Sequence, residues 1–600
     1  MCGIAGLIYK DRTRNDGDAT IRKMTNLVAH RGPDGDGYWQ KDAVYFGHRR
    51  LSILDLSDAG AQPMEYNGYI ITYNGEVYNY LEIKTELEKL GYIFRSHCDT
   101  EVILAAYQCW GVGCLQRFNG MWAFAIYDPY KNIVFCSRDR FGIKPFYYLQ
   151  QPDKLVFGSE IKQLLLFIDR PKAREQAITH YFAFNLIDHS YQTFFEDIKN
   201  LPGSHYMVYD LRRNVVEISR YYQISTHEAY KGLDYKEALE QFQGQFQRSI
   251  NWRLRSDVRV GTCLSGGLDS SFIALNAARS YKNDQQFCAF TAASIDETWN
   301  EESYAKMVAD QLHLEWHVTK PGSRDFLNDV MKVCAVQEEP FVSPSIFMQY
   351  YVMQLAHKNG LKVLLDGQGA DETLFGYSRY ISAMGRKLKG GQRLNFLLQA
   401  SKKYKIGYFG LFSTYFYLSN YKLRKRFAAH KLKGMKPSVL KNIDDDYLMQ
   451  LTSAYNDPLQ LQELEISSSH IPALLRYEDR NSMHFSIETR LPYLDWELLE
   501  FNLSLPNSFK VKNGWSKCLI RDSMDRQLPD AVTWRTNKFG FASPNNIWLA
   551  QRGGFEKLIK ESPMLNKVFS DPVALAEIKN GMFWKLINIA CWEKLYNVSL

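Results

Sequence analysis

The sequence predicts a two-domain chain of α/β and α+β class. Three observations carry this. At 600 residues the chain is too long for a single core. Its first third alternates strand-like runs around one amphipathic helix. Its second half alternates strand and helix on either side of a loop of small residues, a pattern that argues for a parallel sheet with helices on both faces.

The composition, 46% hydrophobic and 23% charged, is that of a globular protein. No basic, apolar leader opens the chain, and no uncharged apolar run reaches the roughly 20 residues needed to cross a bilayer. Ten cysteines are scattered without a Cys-x-x-Cys pair, so neither a zinc nor a redox motif is indicated, and reduced thiols in the cytoplasm are expected. The net charge of +7 is local. Residues 373–443 hold 16 Lys and Arg and no acid, and taking those 16 from +7 leaves the remainder at −9. With the basic charge confined to one block, no nucleic-acid partner is expected.

The chain begins Met1-Cys2-Gly3, and removal of Met1 before a small residue would leave a cysteine with a free α-amine. That pairs a nucleophile with its own base, an amine of pKa roughly 7.7–8.0; an inert buried cysteine is the alternative. His30-Arg31-Gly32-Pro33-Asp34-Gly35, Gly47-His48-Arg49-Arg50-Leu51-Ser52-Ile53, Tyr73-Asn74-Gly75-Glu76-Val77-Tyr78-Asn79 and Asp99-Thr100-Glu101 follow, with a helix expected from Leu81 to Leu90. These runs resemble the class II glutamine amidotransferases, whose glutaminase is an N-terminal-nucleophile hydrolase sandwich. The resemblance covers residues 2–205 and implies that Cys2 attacks the glutamine amide. It implies that Asn74 and the Gly75 N–H form an oxyanion hole, and that Arg50 holds the α-carboxylate beside Leu51 and Ile53. Glu76 and Asp99 would receive the α-ammonium. An Asn-Gly hairpin turn and a surface arginine are the alternatives for Asn74-Gly75 and Arg50. Arg138 to Tyr148 and Phe157 to Glu160 close this half.

A polar helix from Tyr235 to Leu254 leads into Leu264-Ser265-Gly266-Gly267-Leu268-Asp269-Ser270-Ser271. This loop follows the β-branched run at Val258 and Val260 and precedes a helix expected from Phe272. Strand, small-residue loop and helix hold an anion through backbone N–H groups and a helix N-terminus. The loop is not a Walker motif, which ends Gly-Lys-Ser/Thr. Strands are expected at Phe287–Thr291, Glu315–Val318 and Val363–Leu365, and helices at Glu302–Leu312 and Phe347–His357. Asp366-Gly367-Gln368-Gly369-Ala370-Asp371-Glu372 then stands at a strand end, where ligands bind in such sheets.

The loop resembles the ATP pyrophosphatase (PP-loop) domain, an adenine nucleotide α-hydrolase-like fold. Its fusion to a glutaminase identifies residues 206–600 as resembling the synthetase half of the glutamine-hydrolysing asparagine synthetase family. Glu338-Glu339-Pro340-Phe341, Arg476 to Met483, Glu488 to Asp495, Trp534-Arg535 and Lys538 to Phe541 extend the match. The resemblance implies ATP and Mg²⁺, with Leu264, Ser265, Gly266, Gly267, Asp269, Ser270, Ala292, Asp366 and Gly367 at the nucleotide. Asp269 and Asp371 would hold the metal, and Asp366, Lys517 and Lys538 would serve the chemistry; each lysine could instead be a solvated surface residue. The implied reaction joins ammonia to an adenylated carboxylate, aspartate being the leading acceptor, and a homodimer is expected.

Two departures qualify this. Many relatives carry Ser-Gly-Glu-Gly where this chain has Asp366-Gly367-Gln368-Gly369, and glutamine cannot usefully accept a proton. Asp366 or Glu372 would compensate, or the acceptor would be another carboxylate, such as a sugar acid of polysaccharide synthesis. The second departure is the basic block, treated as an insertion over 378–443 with an aromatic centre from Tyr408 to Leu418. Packed helices with a solvated basic face are the leading reading, and contact with anionic lipid the other. An aminosugar synthase is disfavoured because it needs no ATP loop.

Overall fold

The computed structural model describes residues 2–282, 286–404, 416–432, 434–536, 543–550, 552–576 and 580–600. The N-terminal unit is built from β1 (Gly3–Tyr9), β2 (Gly35–Lys41), β3 (Val44–Arg50), β4 (Met64–Tyr66), β5 (Tyr69–Val77), β6 (Gly120–Asp128), β7 (Ile133–Arg138), β8 (Tyr147–Gln150), β9 (Lys154–Gly158), β10 (Lys199–Asn200), β11 (His205–Asp210) and β12 (Val215–Arg220). They form two six-stranded antiparallel sheets, ordered β10-β8-β9-β1-β3-β2 and β12-β11-β7-β6-β5-β4.

Period-two alternation sets what each strand buries. Ile4 and Ile8 of β1 point between the sheets with Phe46, Ala123, Ala125 and Val134. Ala5, Leu7 and Tyr9 point the other way, into a layer shared with the second unit. Both faces of β1 are therefore covered, and all seven of its residues are buried. The outer face of the second sheet is covered by helices Tyr80–Lys89 and Asp99–Trp110, through Ile83, Leu87, Val102 and Ile103 against Tyr73, Phe124 and Phe135. The boundary expected after 205 falls at the start of β11. Pairing of β11 on β7 and β12 on β11 carries this sheet on to Arg220.

The second unit is centred on a parallel sheet of order β15-β14-β13-β16-β17, with β13 at Val260–Cys263, β14 at Cys288–Ala292, β15 at Glu315–Thr319, β16 at Val363–Leu365 and β17 at Glu488–Arg490. The expected helices form at Tyr235–Arg253, Glu302–Gln311 and Ile346–Lys358. The helix after the loop begins at Leu268 rather than Phe272, so Asp269 and Ser270 belong to its first turn.

Within the basic block, helices Ser378–Lys387, Gly390–Tyr404 and Tyr421–Lys431 are described. Tyr380, Ile381, Met384 and Ala400 pack with Phe375, Leu461 and Val511. Arg379 pairs with Glu465, Lys387 with Asp457 and Lys425 with Asp445, so neighbouring acids answer part of the charge. Of the aromatic centre from Tyr408 to Leu418, residues 408–415 lie outside the described residues. Among the described residues no helix is long and apolar enough to cross a membrane.

The two units meet through buried charge. Arg31 bonds Asp479 through both guanidinium nitrogens, at 2.8 and 3.0 Å, and Glu160 at 3.0 Å. Glu338 accepts the backbone N–H groups of Ile161 and Lys162 and pairs with Arg480 at 2.6 Å. These side chains are almost fully buried, so removing one partner strands a charge at a cost of about 3–5 kcal/mol.

Candidate active sites

The first site opens at the start of β1. The Cys2 nitrogen donates to Asn74 Oδ1 at 2.9 Å, while Asn74 Nδ2 is buried with no acceptor. A buried unsatisfied donor is costly, so Asn74 Nδ2 is a candidate position for receiving an oxygen beside Cys2. Gly75 is required here by close approach: a Cβ would lie 2.1 Å from the Met121 carbonyl on β6. Burial pushes the Cys2 thiol up.

Cys2, Arg50, Leu51, Ile53, Gly75, Glu76 and Asp99 line one small pocket, so the residues expected around glutamine converge. Arg50 sits at its rim, with Nη1 donating to the Ser57 carbonyl at 2.7 Å and Nη2 to that of Asp55. Asp99 Oδ2 accepts from Tyr73 Oη at 2.7 Å and the Val77 N–H at 2.8 Å, yet burial raises its carboxyl to about 6. Glu76 is raised well above the usual range by burial, with Glu488 and Asp99 adding repulsion. Residues missed in the sequence complete the site. Gln62 Oε1 accepts the Tyr73 N–H at 2.7 Å, and Arg490 of β17 approaches Glu76 at 3.6 Å. Nothing near residue 76 in the chain points to a partner so distant in sequence.

The second site lies at the carboxyl ends of β13 and β16. The loop closes on itself: Ser270 Oγ accepts the Ser265 N–H at 3.2 Å, and Ser265 Oγ accepts the Gly267 N–H at 3.2 Å. Gly266 has φ +73°, and a Cβ there would fall 2.4 Å from the Ala305 nitrogen, so glycine alone fits between loop and helix Glu302–Gln311. Ser265, Gly267, Asp269, Ser270, Asp366, Gly367, Asp371 and Lys517 line a cavity of about 700 Å³, together with Gln368. An adjoining recess is lined by Leu264 and Ala292. The expected nucleotide residues are thus brought together, except that Gly266 contributes its carbonyl to the loop's anchoring.

Lys517 is buried, and its Nζ bonds both carboxylate oxygens of Asp269 and Asp371 Oδ1, each at 2.6 Å. These two carboxylates hold its ammonium well above the usual lysine range, against the desolvation that would lower it. The alternative of a solvated surface lysine is thereby excluded. Lys538 lies outside the described residues. Arg535, quoted in the sequence but given no task, anchors the loop by donating to the Gly266 carbonyl at 2.9 Å and pairing with Glu301 at 2.6 Å. Arg521, Tyr377 and Gln349 also line the cavity, and no local signal marks them.

The sites are mechanically joined. The Asp366 N–H donates to the Arg490 carbonyl at 3.0 Å, and the same arginine's guanidinium faces Glu76.

Comparison with known proteins agrees with this division. Residues 1–222 match the model of a glutamine amidotransferase domain, and residues 241–580 that of asparagine synthase. Asparagine synthetase [glutamine-hydrolyzing] 1 of Bacillus subtilis is 30% identical over 573 residues, covering 92% of this chain and 88% of its own. A putative asparagine synthetase [glutamine-hydrolyzing] 2 of Methanocaldococcus jannaschii is 34% identical over 427 residues, 67% of this chain and 79% of its own. The amidase chry2 of Gibberella zeae is 25% identical across 98% of this chain and 96% of its own.

Proposed function

Because the chain belongs to the glutamine-hydrolysing asparagine synthetase family, we propose that Cys2 releases ammonia from glutamine and that the second pocket uses ATP to amidate a carboxylate. L-Aspartate is the leading acceptor, giving L-asparagine, glutamate, AMP and pyrophosphate. What carries the reading is the presence of both pockets on one chain, each lined by the residue types its half-reaction needs and joined through Arg490.

In this reading Cys2 attacks the glutamine amide while Asn74 Nδ2 and the Gly75 N–H take the developing oxyanion. Arg50 pairs with the α-carboxylate, a task for a bidentate guanidinium. Glu76 and Asp99 receive the α-ammonium. Water then resolves the glutamyl thioester. In the second pocket the serines and helix N-terminus of the loop bind phosphate oxygens, and Leu264 and Ala292 flank the base. The acceptor carboxylate attacks the α-phosphorus in line, and ammonia displaces AMP.

Asp269 and Asp371 are the residues that would hold Mg²⁺. Their oxygens already converge on a single cation, the Lys517 ammonium, and two carboxylates with phosphate oxygens are a donor set Mg²⁺ accepts. The ion would supply charge neutralisation at the phosphates. Lys517, released from the carboxylates, would then face pyrophosphate, with Lys538 a second candidate for that charge. A homodimer is part of the same proposal.

A second reading keeps the machinery and changes the acceptor to another carboxylate, such as a sugar acid. Gln368 favours it, since it lines the cavity where an acid would be expected. The test supplies glutamine, ATP, Mg²⁺ and one carboxylate at a time, and measures AMP and pyrophosphate. Aspartate-dependent AMP is expected; AMP at background with aspartate but not with another acid would establish the second reading.

A further inference from the structure

The edge of the parallel sheet carries a cluster that neither pocket uses. In its register Cys288 of β14 stands beside Glu315 of β15, and Phe290 beside His317. Side chains two residues apart on a strand share a face, and neighbouring strands lie about 4.8 Å apart. Cys288, Glu315 and His317 therefore project from one face as a triangle. The Cys288 sulfur, a Glu315 carboxylate oxygen and a His317 ring nitrogen all lie within 4.8 Å of one another. Among the described residues no other three cysteine, histidine or acidic side chains converge this closely.

Each corner of the triangle is held from outside it. His317 Nε2 lies 3.0 Å from Glu315 Oε1, and its ring stacks on Phe290 with centroids 5.1 Å apart and planes at 12°. Glu315 Oε2 accepts from Arg259 Nη2, which also donates to the Gln286 carbonyl at 2.7 Å. Cys288 is buried in one apolar cluster with Val352, Met353 and Ala356 of helix Ile346–Lys358. β15 is an edge strand, and the Glu315 and His317 side chains keep 40% and 25% of their surface, so the triangle opens to solvent on that side. A carboxylate paired with arginine only accepts, so the proton between Oε1 and Nε2 belongs to the imidazole.

Thiolate sulfur, imidazole nitrogen and carboxylate oxygen form a donor set suited to Zn²⁺, whereas Mg²⁺ and Ca²⁺ take oxygen ligands. Three protein ligands leave one tetrahedral position, which the solvent side can fill. We propose that Cys288, Glu315 and His317 bind one borderline-soft divalent cation of the Zn²⁺ class, with water as the fourth ligand. Bonds form from the metal to Sγ, Oε1 and Nε2; the thiol proton leaves to solvent, and the imidazole proton moves from Nε2 to Nδ1. Thiolate and carboxylate neutralise the dication, and Arg259 keeps the second Glu315 oxygen. The ion ties β15 to β14 at the amino ends of both strands, the end of the sheet opposite the loop after β13. The site therefore stands apart from the proposed function and does not rest on it. No Cys-x-x-Cys pair announces it, because its ligands come from two strands.

The test uses the full chain carrying Cys2→Ala, which removes the thiol set beside a free amine. The protein is stripped with EDTA, dialysed, and loaded with Zn²⁺ or, separately, Co²⁺, in excess Mg²⁺ to fill oxygen-only sites. One equivalent of Zn²⁺ should remain after gel filtration, and the Co²⁺ form should show a thiolate-to-metal charge-transfer band. Cys288→Ser and His317→Gln should each abolish that band and weaken Zn²⁺ binding by more than about 100-fold. Loss of a residue that merely orients a ligand costs roughly 10–100-fold. If Cys288→Ser does not fold, His317→Gln, on the partly exposed edge strand, decides alone. No retained equivalent in the parent chain, or a band and affinity unchanged in either folded variant, would overturn the site. Amidation activity enters neither readout.

Discussion

Each pocket contains a pair of acids, but in opposite surroundings: Glu76 and Asp99 in one, Asp269 and Asp371 in the other. At Cys2, Glu76 and Asp99 are buried together, with Arg490 3.6 Å from Glu76, and burial raises both. At the loop, Asp269 and Asp371 clasp Lys517 at 2.6 Å. On the proposed function the first pair would receive a small cation brought by the substrate. The second would have to release Lys517 before the proposed metal ion could enter. On that proposal one site would be preorganised and the other would exchange ions as it fills.

The sharpest separation should come from Cys2→Ala. Glutamine-dependent amide formation is expected to fall by about 10⁴-fold or more, while ammonium-dependent formation stays within about twofold. Loss of both, measured side by side, would break the division into two sites. Asn74→Ala should lower glutaminase kcat by about 10²–10³-fold with little change at the loop, as glutamate release would show. Asp371→Asn should act on the other side only: pyrophosphate release falls by roughly 10²-fold, the scale of several kcal/mol of lost metal stabilisation, and glutaminase turnover persists. The smallest effect is on pH. Burial raises the Asp99 carboxyl to about 6, so below that value it is expected to be neutral and unable to pair with an α-ammonium. Glutaminase kcat/KM should drop about tenfold per pH unit below 6, while ammonium-dependent turnover should not follow that limb.

Local patterns carried much of this into the sequence. Leu264–Ser271 declared itself by its small residues between an apolar run and a helix, and the strand at Val363–Leu365 matches its expected bounds. Misreadings have physical causes. The helix start was placed at Phe272 because serines and aspartate look like loop, whereas Gly267 in an extended conformation lets them form the first turn. The pair β11–β12 escaped notice because β12 is an edge strand with nearly every residue exposed. The approach of Arg490 to Glu76 depends on strand register and packing over hundreds of residues, which no local pattern encodes.

That last contact bears on how such enzymes could be recombined. Arg490 presents its carbonyl to Asp366 and its guanidinium to Glu76, while Glu488, two residues earlier on β17, is paired to it at 2.5 Å. A chimera joined between the units would still carry, inside its synthetase half, the guanidinium that faces Glu76 of the first pocket. Anyone grafting this glutaminase onto a different ligase would have to transplant β17 with it, and the donor segment would then dictate how the recipient's Asp366 equivalent is held.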